Sequence, residues 1–146
     1  MSEPLGVIYR DGSRRTDYLY RVSIKCVIRD DNGNVLVVKE SDRDNWDLPG
    51  GGMDHGESIK TSIARELAEE VKLHGDFDYK VIAVEEPDFI AGHNWYQIRL
   101  IFEVIPRIKH FKPGNDADDT AFKDPHAFEH SEREVERRIY RYSLLR

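Results

Sequence analysis

Glu66, Glu69 and Glu70 fall within the run Arg65-Glu66-Leu67-Ala68-Glu69-Glu70-Val71. Residues three and four apart on a helix share a face, so these carboxylates would gather on one side, opposite much of an apolar stripe of Ile59, Ile63 and Leu67. Like charges that close repel, and an arbitrary triplet of this kind is a solvated acidic face. The glycine run just upstream, Gly50-Gly51-Gly52, changes what the spacing means. Hard oxygen ligands at the mouth of a tight glycine turn are what Mg2+ or Mn2+ takes, and a divalent ion there would relieve the repulsion while bridging to phosphate oxygens. Arg65 can pair with Glu57 or Glu69 and so fix a carboxylate's rotamer. Glu57 stands where the first turn of a helix favours negative charge. The chemistry implied is in-line displacement at phosphorus by water.

Other chemistries fit the sequence poorly. Gly51, four residues and Gly56 resemble the start of a phosphate-binding loop, but Glu57 and Ser58 follow where that motif requires Lys and then Ser or Thr. The contiguous glycines do not make a dinucleotide fingerprint. The six histidines lack metal-protease spacing, and no Gly-x-Ser-x-Gly elbow is present. The single Cys26 cannot form an internal disulfide or a multi-cysteine zinc site, which suits a reducing, cytoplasmic setting.

The elements that must position the carboxylates are read from periodicity. Apolar residues every four positions predict an amphipathic helix from Glu57 to about Leu73. Val22, Ile24, Cys26 and Ile28 alternate with Arg21, Ser23, Lys25 and Arg29, a strand with one buried face and Cys26 in the core. Asp31-Asn32-Gly33-Asn34 predicts a hairpin into Val35-Leu36-Val37-Val38, whose unbroken apolar run suits a strand buried on both faces. Further strands are expected at Tyr79 to Val84 and Trp95 to Ile105, and Ser131 with Glu134 suggests a capping box before a closing helix. Strands and helices interleave, so an α/β or α+β layered domain is expected, one domain over residues 1–146. With 28 acidic and 22 basic residues, a formal charge of −6, the chain is not expected to bind polymeric nucleic acid, and no segment is apolar enough for a membrane span or signal peptide.

Gly51, five residues, Glu57, seven residues and Arg65-Glu66-Leu67-Ala68-Glu69-Glu70-Val71-Lys72-Leu73 together resemble the Nudix box, with Lys72 where the pattern has glycine. Lysine takes a left-handed helix end poorly, so the helix is expected to run on and stop at Gly75. The resemblance implies a Nudix-type α/β/α sandwich with a mixed β-sheet. It further implies a Mg2+- or Mn2+-dependent hydrolase that cleaves a pyrophosphate bond in a nucleoside diphosphate-linked small molecule. A Nudix-fold nucleotide-binding or regulatory module without turnover is the alternative. Carried over by position, the metal would be held by Glu66, Glu69, Glu70 and the Gly50 carbonyl, with Arg65 and Glu57 as accessory catalytic residues.

Family members often bring one further carboxylate from a loop beyond the box. Asp118 and Asp119, in the acidic loop Asp116–Asp119, are the candidates for this general base, with Glu103 and Glu129 in reserve. From side-chain chemistry alone, Arg21, Arg43 and Arg99 are candidate phosphate partners. Trp46 and Trp95, with Phe89 and Tyr96, are candidate base-stacking residues. Which nucleotide is cleaved, how many metal ions take part and the oligomeric state stay open at this level.

Overall fold

The computed structural model describes residues 6–8, 16–112, 114 and 117–146. Two short strands, β1 (Gly6–Ile8) and β2 (Thr16–Tyr18), pair antiparallel and precede the main body. β3 (Tyr20–Val27) runs parallel to the long β8 (Trp95–Pro106), whose other edge takes β6 (Phe77–Val84) and the short β7 (Asp88–Ile90), both antiparallel. A second, antiparallel sheet has the order β5-β4-β9, from Trp46–Asp47, Val35–Glu40 and Ala117–Lys123. The Asn32-Gly33 turn forms as expected: Gly33 has φ 80° and the Asp30 carboxylate accepts from the Asn32 and Asn34 amides, each at 2.9 Å. The expected hairpin does not extend. After a single bridge between Arg29 and Val35, β3 and β4 part into different sheets, because each finds a better-matched partner in β8 and β9.

Alternation along these strands divides the core into two layers. Ile24, Cys26 and Ile28 of the β3 segment, Leu36 and Val38 of β4, and Phe102 and Val104 of β8 face one way. They pack on Ile63, Leu67 and Val71 of α1 (Ile59–Val71). Val27, Val35, Val37 and Ile101 face the other way, onto Phe128, Ile139 and Tyr142 of the 3-10 turn Pro125–Phe128 and α2 (Glu134–Ser143). Helix, mixed strands, helix: this is the α+β sandwich expected from the sequence, and β4 is covered on both faces. Cys26 is fully buried, and burial pushes its thiol pKa up, so it is an inert core residue.

Both helix ends depart in detail from expectation. Ser58 caps α1 by accepting the Thr61 amide at 3.1 Å, so Glu57 lies just outside the helix. Lys72 itself takes the left-handed position, φ 53°, and the helix stops at Val71 rather than running toward Gly75. Turning there delivers Leu73, 5% exposed, into the core, which compensates the strain on a non-glycine residue. At α2 the expected capping box is not made. Arg133 is the cap residue without a side-chain bond, and the Ser131 hydroxyl instead donates to Glu136 at 2.7 Å.

Ile63 and Leu67 are 0% and 1% exposed. Truncating either to Ala is expected to cost about 2 to 5 kcal/mol, read as a lowered urea midpoint with unchanged slope. Unchanged midpoints in both variants would contradict the packing of α1. No helix among the described residues is long and apolar enough to cross a membrane, which says nothing of strands.

Candidate active site

The segment 49–53 lies along the edge of β3 that β8 leaves free. Cys26 N–H donates to the Pro49 carbonyl at 2.8 Å, Ile24 N–H to Gly51 at 2.9 Å, and Met53 N–H to Val22 at 2.9 Å. The chain can run this close only without side chains. A Cβ on Gly50, whose φ is +137°, would fall 2.1 Å from the Ile24 carbonyl oxygen, and one on Gly51 would fall 2.7 Å from a Glu66 carboxylate oxygen. One on Gly52 would meet the Arg21 guanidinium at 2.0 Å. The three consecutive glycines therefore serve three different close approaches.

α1 brings its carboxylates to this loop from one side. Glu66 and Glu70 are 8% and 4% exposed, and they border the Ile63–Leu67 stripe rather than opposing it. The reason is helical geometry: residues 66 and 70 sit about 100° round the helix from 67 and 71. The Glu70 Oε1 accepts the Gly50 amide at 3.0 Å, while its Oε2 is buried with no hydrogen-bond partner among the described residues. Burial first, opposed by the nearby Lys25 ammonium and reinforced by Glu66, pushes the Glu70 pKa up to about 9. Glu69, the third of the set, is open to solvent at 42% of its side chain.

Arg65 ties the set together. Its guanidinium donates to both oxygens of Glu57 at 2.8 Å, to Glu66 at 3.0 Å, to Glu69 at 3.3 Å and to the Gly52 carbonyl at 3.0 Å. The Glu57 carboxylate also accepts the Asp54 amide at 2.7 Å, and these bonds, Arg65 first, hold its pKa down to about 2, while Arg65 is held above its ordinary value. A carboxylate whose folded pKa lies below its usual 4.5 stabilises the fold above that value and stops doing so as pH falls toward 2. Glu57→Gln should therefore melt below the parent at neutral pH, the gap closing between about pH 4 and 2. A gap independent of pH would remove the ion pair as its cause.

Oxygen donors of the kind a hard divalent cation takes are thus present, and the orphaned Glu70 oxygen invites one. Among the described residues, no three His, Cys, Asp or Glu side chains already form a metal cage. Arg65 draws Glu66 and Glu69 onto itself, so their carboxylates would have to turn to share an ion.

On the opposite, α2 side of the sheet lies a cavity of about 350 Å3. The parallel register sets its floor: Arg21 lies beside Gln97 and Ser23 beside Arg99, so odd-numbered residues of β3 and β8 point the same way, with Lys25 and Trp95 continuing the rows. Arg43, Asp47, His93 and the three glycines complete one wall, and Val135 and Arg138 of α2 the other. Arg21 donates to the Met53 carbonyl at 2.6 Å. Arg99 and Arg138 share the Glu85 carboxylate, at 3.0 and 3.3 Å, and Tyr142 donates to it at 2.6 Å, which with burial raises the phenol pKa to about 12. His93 stacks on Trp95 with ring centroids 4.7 Å apart. A second cavity, about 420 Å3, opens at the other end of β3 between Arg29, His126 and Leu144, and neither the glycine segment nor α1 reaches it.

Of the residues singled out from sequence, Arg21, Arg43, Trp95, Arg99 and Gly50 line the cavity, and Glu66 and Glu70 meet the same glycine segment from behind. Trp46 does not line it. Its ring has the ammonium groups of Lys39 and Lys123 over it, at 4.9 and 4.8 Å, because it belongs to the second sheet and packs on the α2-side core. Asp118 and Asp119 are not in a loop: they are exposed on β9, with Asp119 opposite Lys39 and Asp118 accepting the Ser41 hydroxyl at 3.1 Å. Asp116 lies outside the described residues. Glu103 is taken up by Arg29, Phe89 packs on Tyr96, and neither aromatic lines the cavity. Lys25, Gln97, His93 and Arg138 were missed. The shared face of Arg21, Ser23 and Lys25 was legible as a polar row, but it reads as solvent-facing until α2 is placed over it.

Comparison with known proteins bears on the family and the fold. The NUDIX domain pattern matches residues 19–142. An RNA pyrophosphohydrolase of Ruthia magnifica is 38% identical over 71 residues, covering 49% of this chain and 38% of that protein. One of Vibrio cholerae is 42% identical over 81 residues, covering 56% and 42%. The chain thus spans less than half the length of these curated relatives. In structure it is similar to the MutT protein of Methanosarcina mazei Go1, with TM-score 0.69 and 21% identity over 85% of this chain and 92% of that one, a likeness of fold.

Proposed function

The chain belongs to the NUDIX domain family, and on that premise we propose that it hydrolyses a pyrophosphate bond in a nucleoside diphosphate derivative, with Mg2+ or Mn2+. The observation that carries this reading is that Glu66 and Glu70, with Glu69 joined to them through Arg65, meet the glycine segment that also rims a cavity lined by Arg21, Lys25, Arg43, Arg99 and Arg138. A cationic cavity in a chain of net charge −6 suits an anionic substrate. The Gly50 carbonyl, Glu66, Glu69 and Glu70 would hold the ion, which supplies Lewis-acid polarisation of a phosphoryl oxygen and a water of lowered pKa.

The chain's own residues do the rest. Arg65, clamped by Glu57, keeps the Glu66 and Glu69 carboxylates beside the loop. Arg21 and Arg99, each fixed by its bonds, present donors to phosphate oxygens without reorganising. Trp95 and His93 offer a flat apolar surface to a base. Where Glu66 and Glu70 hold the ion, Glu69, with 42% of its side chain open to solvent beside Arg65, can instead take the proton of an attacking water. A cytoplasmic setting is part of this proposal, supported by a single cysteine and no disulfide-forming pair.

The test is a panel of nucleoside triphosphates, ADP-ribose, dinucleoside polyphosphates and, since two relatives are named RNA pyrophosphohydrolases, an RNA carrying a terminal pyrophosphate bond. Phosphate or nucleoside monophosphate release is expected from at least one compound with Mg2+ or Mn2+, and none with chelator. No release by the folded protein across the panel would favour a binding module without turnover.

A further inference from the structure

Lys25 is an ammonium in a place where a strand residue is ordinarily apolar or solvated. Its residue is 8% exposed, and its Nζ donates to Asp47 Oδ2 at 2.9 Å and to the Leu48 and Gly50 carbonyls at 3.3 Å each. A buried pair with Asp47 alone would account for the charge but not for the two main-chain bonds. Those bonds have a reason in the edge pairing. β3 donates to the Pro49 and Gly51 carbonyls, so the carbonyl between them, on Gly50, points away from the ladder, and Lys25 meets it from the cavity side. On the other side, the Gly50 amide is held by Glu70 of α1. One residue is thereby gripped from both layers, by a carboxylate on its N–H and an ammonium on its C=O.

Resting on the hydrolase reading above, we infer that Lys25 is a positioning residue that fixes the Gly50 carbonyl, and through the Gly50 turn the Glu70 carboxylate, for the cation and phosphate. A carbonyl oxygen has two lone pairs, so the ammonium can hold one while the other stays open. Orienting partners of this kind typically change metal affinity by about 10- to 100-fold when removed.

The test replaces Lys25→Met together with Asp47→Asn, so that Asp47 is not left as a buried carboxylate without its ammonium. The amide oxygen introduced by the second change can still accept the Leu48 amide that Asp47 Oδ1 holds at 2.7 Å. Amide exchange is followed in metal-free protein, and Mn2+ binding by titration. Exchange at Gly50 is expected to quicken at least about tenfold while β8 amides keep their protection, and Mn2+ to bind about tenfold more weakly. In turnover, kcat should fall and KM stay within about threefold. Lys25→Arg, which keeps a cation for Asp47 but in a planar fork, should shift Gly50 exchange and Mn2+ binding in the same direction and carries the comparison if the double variant does not fold. Unchanged Gly50 exchange, loss of protection spread evenly over β3 and β8, or unchanged Mn2+ binding would overturn the proposal. Absence of Mn2+ binding and turnover in the parent would instead sink the hydrolase reading, and metal-free exchange would still decide whether Lys25 fixes Gly50.

Discussion

Glu70→Gln should lower turnover at least about a hundredfold, because it removes a charged oxygen donor from the site where negative charge must be balanced in the transition state. The structure adds a stability signature. With its pKa raised from 4.5 to about 9, Glu70 in the folded protein keeps a proton that the unfolded chain has already lost between those values. The unfolded state then binds fewer protons, so the stability of the parent falls as pH rises through that window. Glutamine carries no such charge. In chelator, Glu70→Gln should therefore melt above the parent near pH 8, and the two should converge toward pH 4. With saturating Mg2+ the order should reverse, since a ligand that binds only the folded parent stabilises it. Near-parental turnover in folded Glu70→Gln would defeat the role given to this carboxylate. A parent whose stability in chelator does not decline from pH 5 to 8 would defeat the raised pKa.

The second large effect is expected at Gly50. An alanine there needs φ near +137° and puts its Cβ 2.1 Å from the Ile24 carbonyl oxygen, which belongs to the backbone of β3, held in place on its other edge by β8. Backbone strain and overpacking each cost roughly 1 to 3 kcal/mol, so Gly50→Ala should lose about 2 to 6 kcal/mol of stability. The control is Gly33→Ala. Gly33 also has positive φ, +80°, but a Cβ there meets nothing within 4 Å among the described residues, so only the conformational part of the cost should appear, about 1 to 2 kcal/mol. Urea melts of both variants decide the matter: equal losses would mean that the segment 49–53 can move off β3, and the close approach would no longer explain the glycines.

What the sequence determined by itself was whatever depends on near neighbours. The spacing of Glu57, Arg65 and Glu69 on one helix and its approach dictates that Arg65 can reach Glu57 and Glu69, and it does, adding Glu66 as well. Period-two alternation in β3 picked out the face that packs on α1, and the unbroken run in β4 its burial on both faces, since a strand's faces are set by residue parity alone. The expectation of a single buried face in β3 fails, because Ser23 and Lys25 are buried as well. Tertiary structure decided the rest. The fate of the polar row Arg21, Ser23, Lys25 depended on α2, more than 100 residues further along the chain, covering that face and contributing Val135 and Arg138. β9 carries Asp118 and Asp119 in a segment with no clear apolar alternation, so its strand state follows from pairing with β4 rather than from its own residues. Trp46 was an aromatic of unknown placement until β5 joined β4 in the second sheet. Lys72 turns left-handed because Leu73 gains a core site, a long-range contact that outweighs the local preference of lysine. Local spacing fixes which groups can meet along one helix or strand, while the burial and charge of a group depend on what is laid across it from elsewhere in the chain.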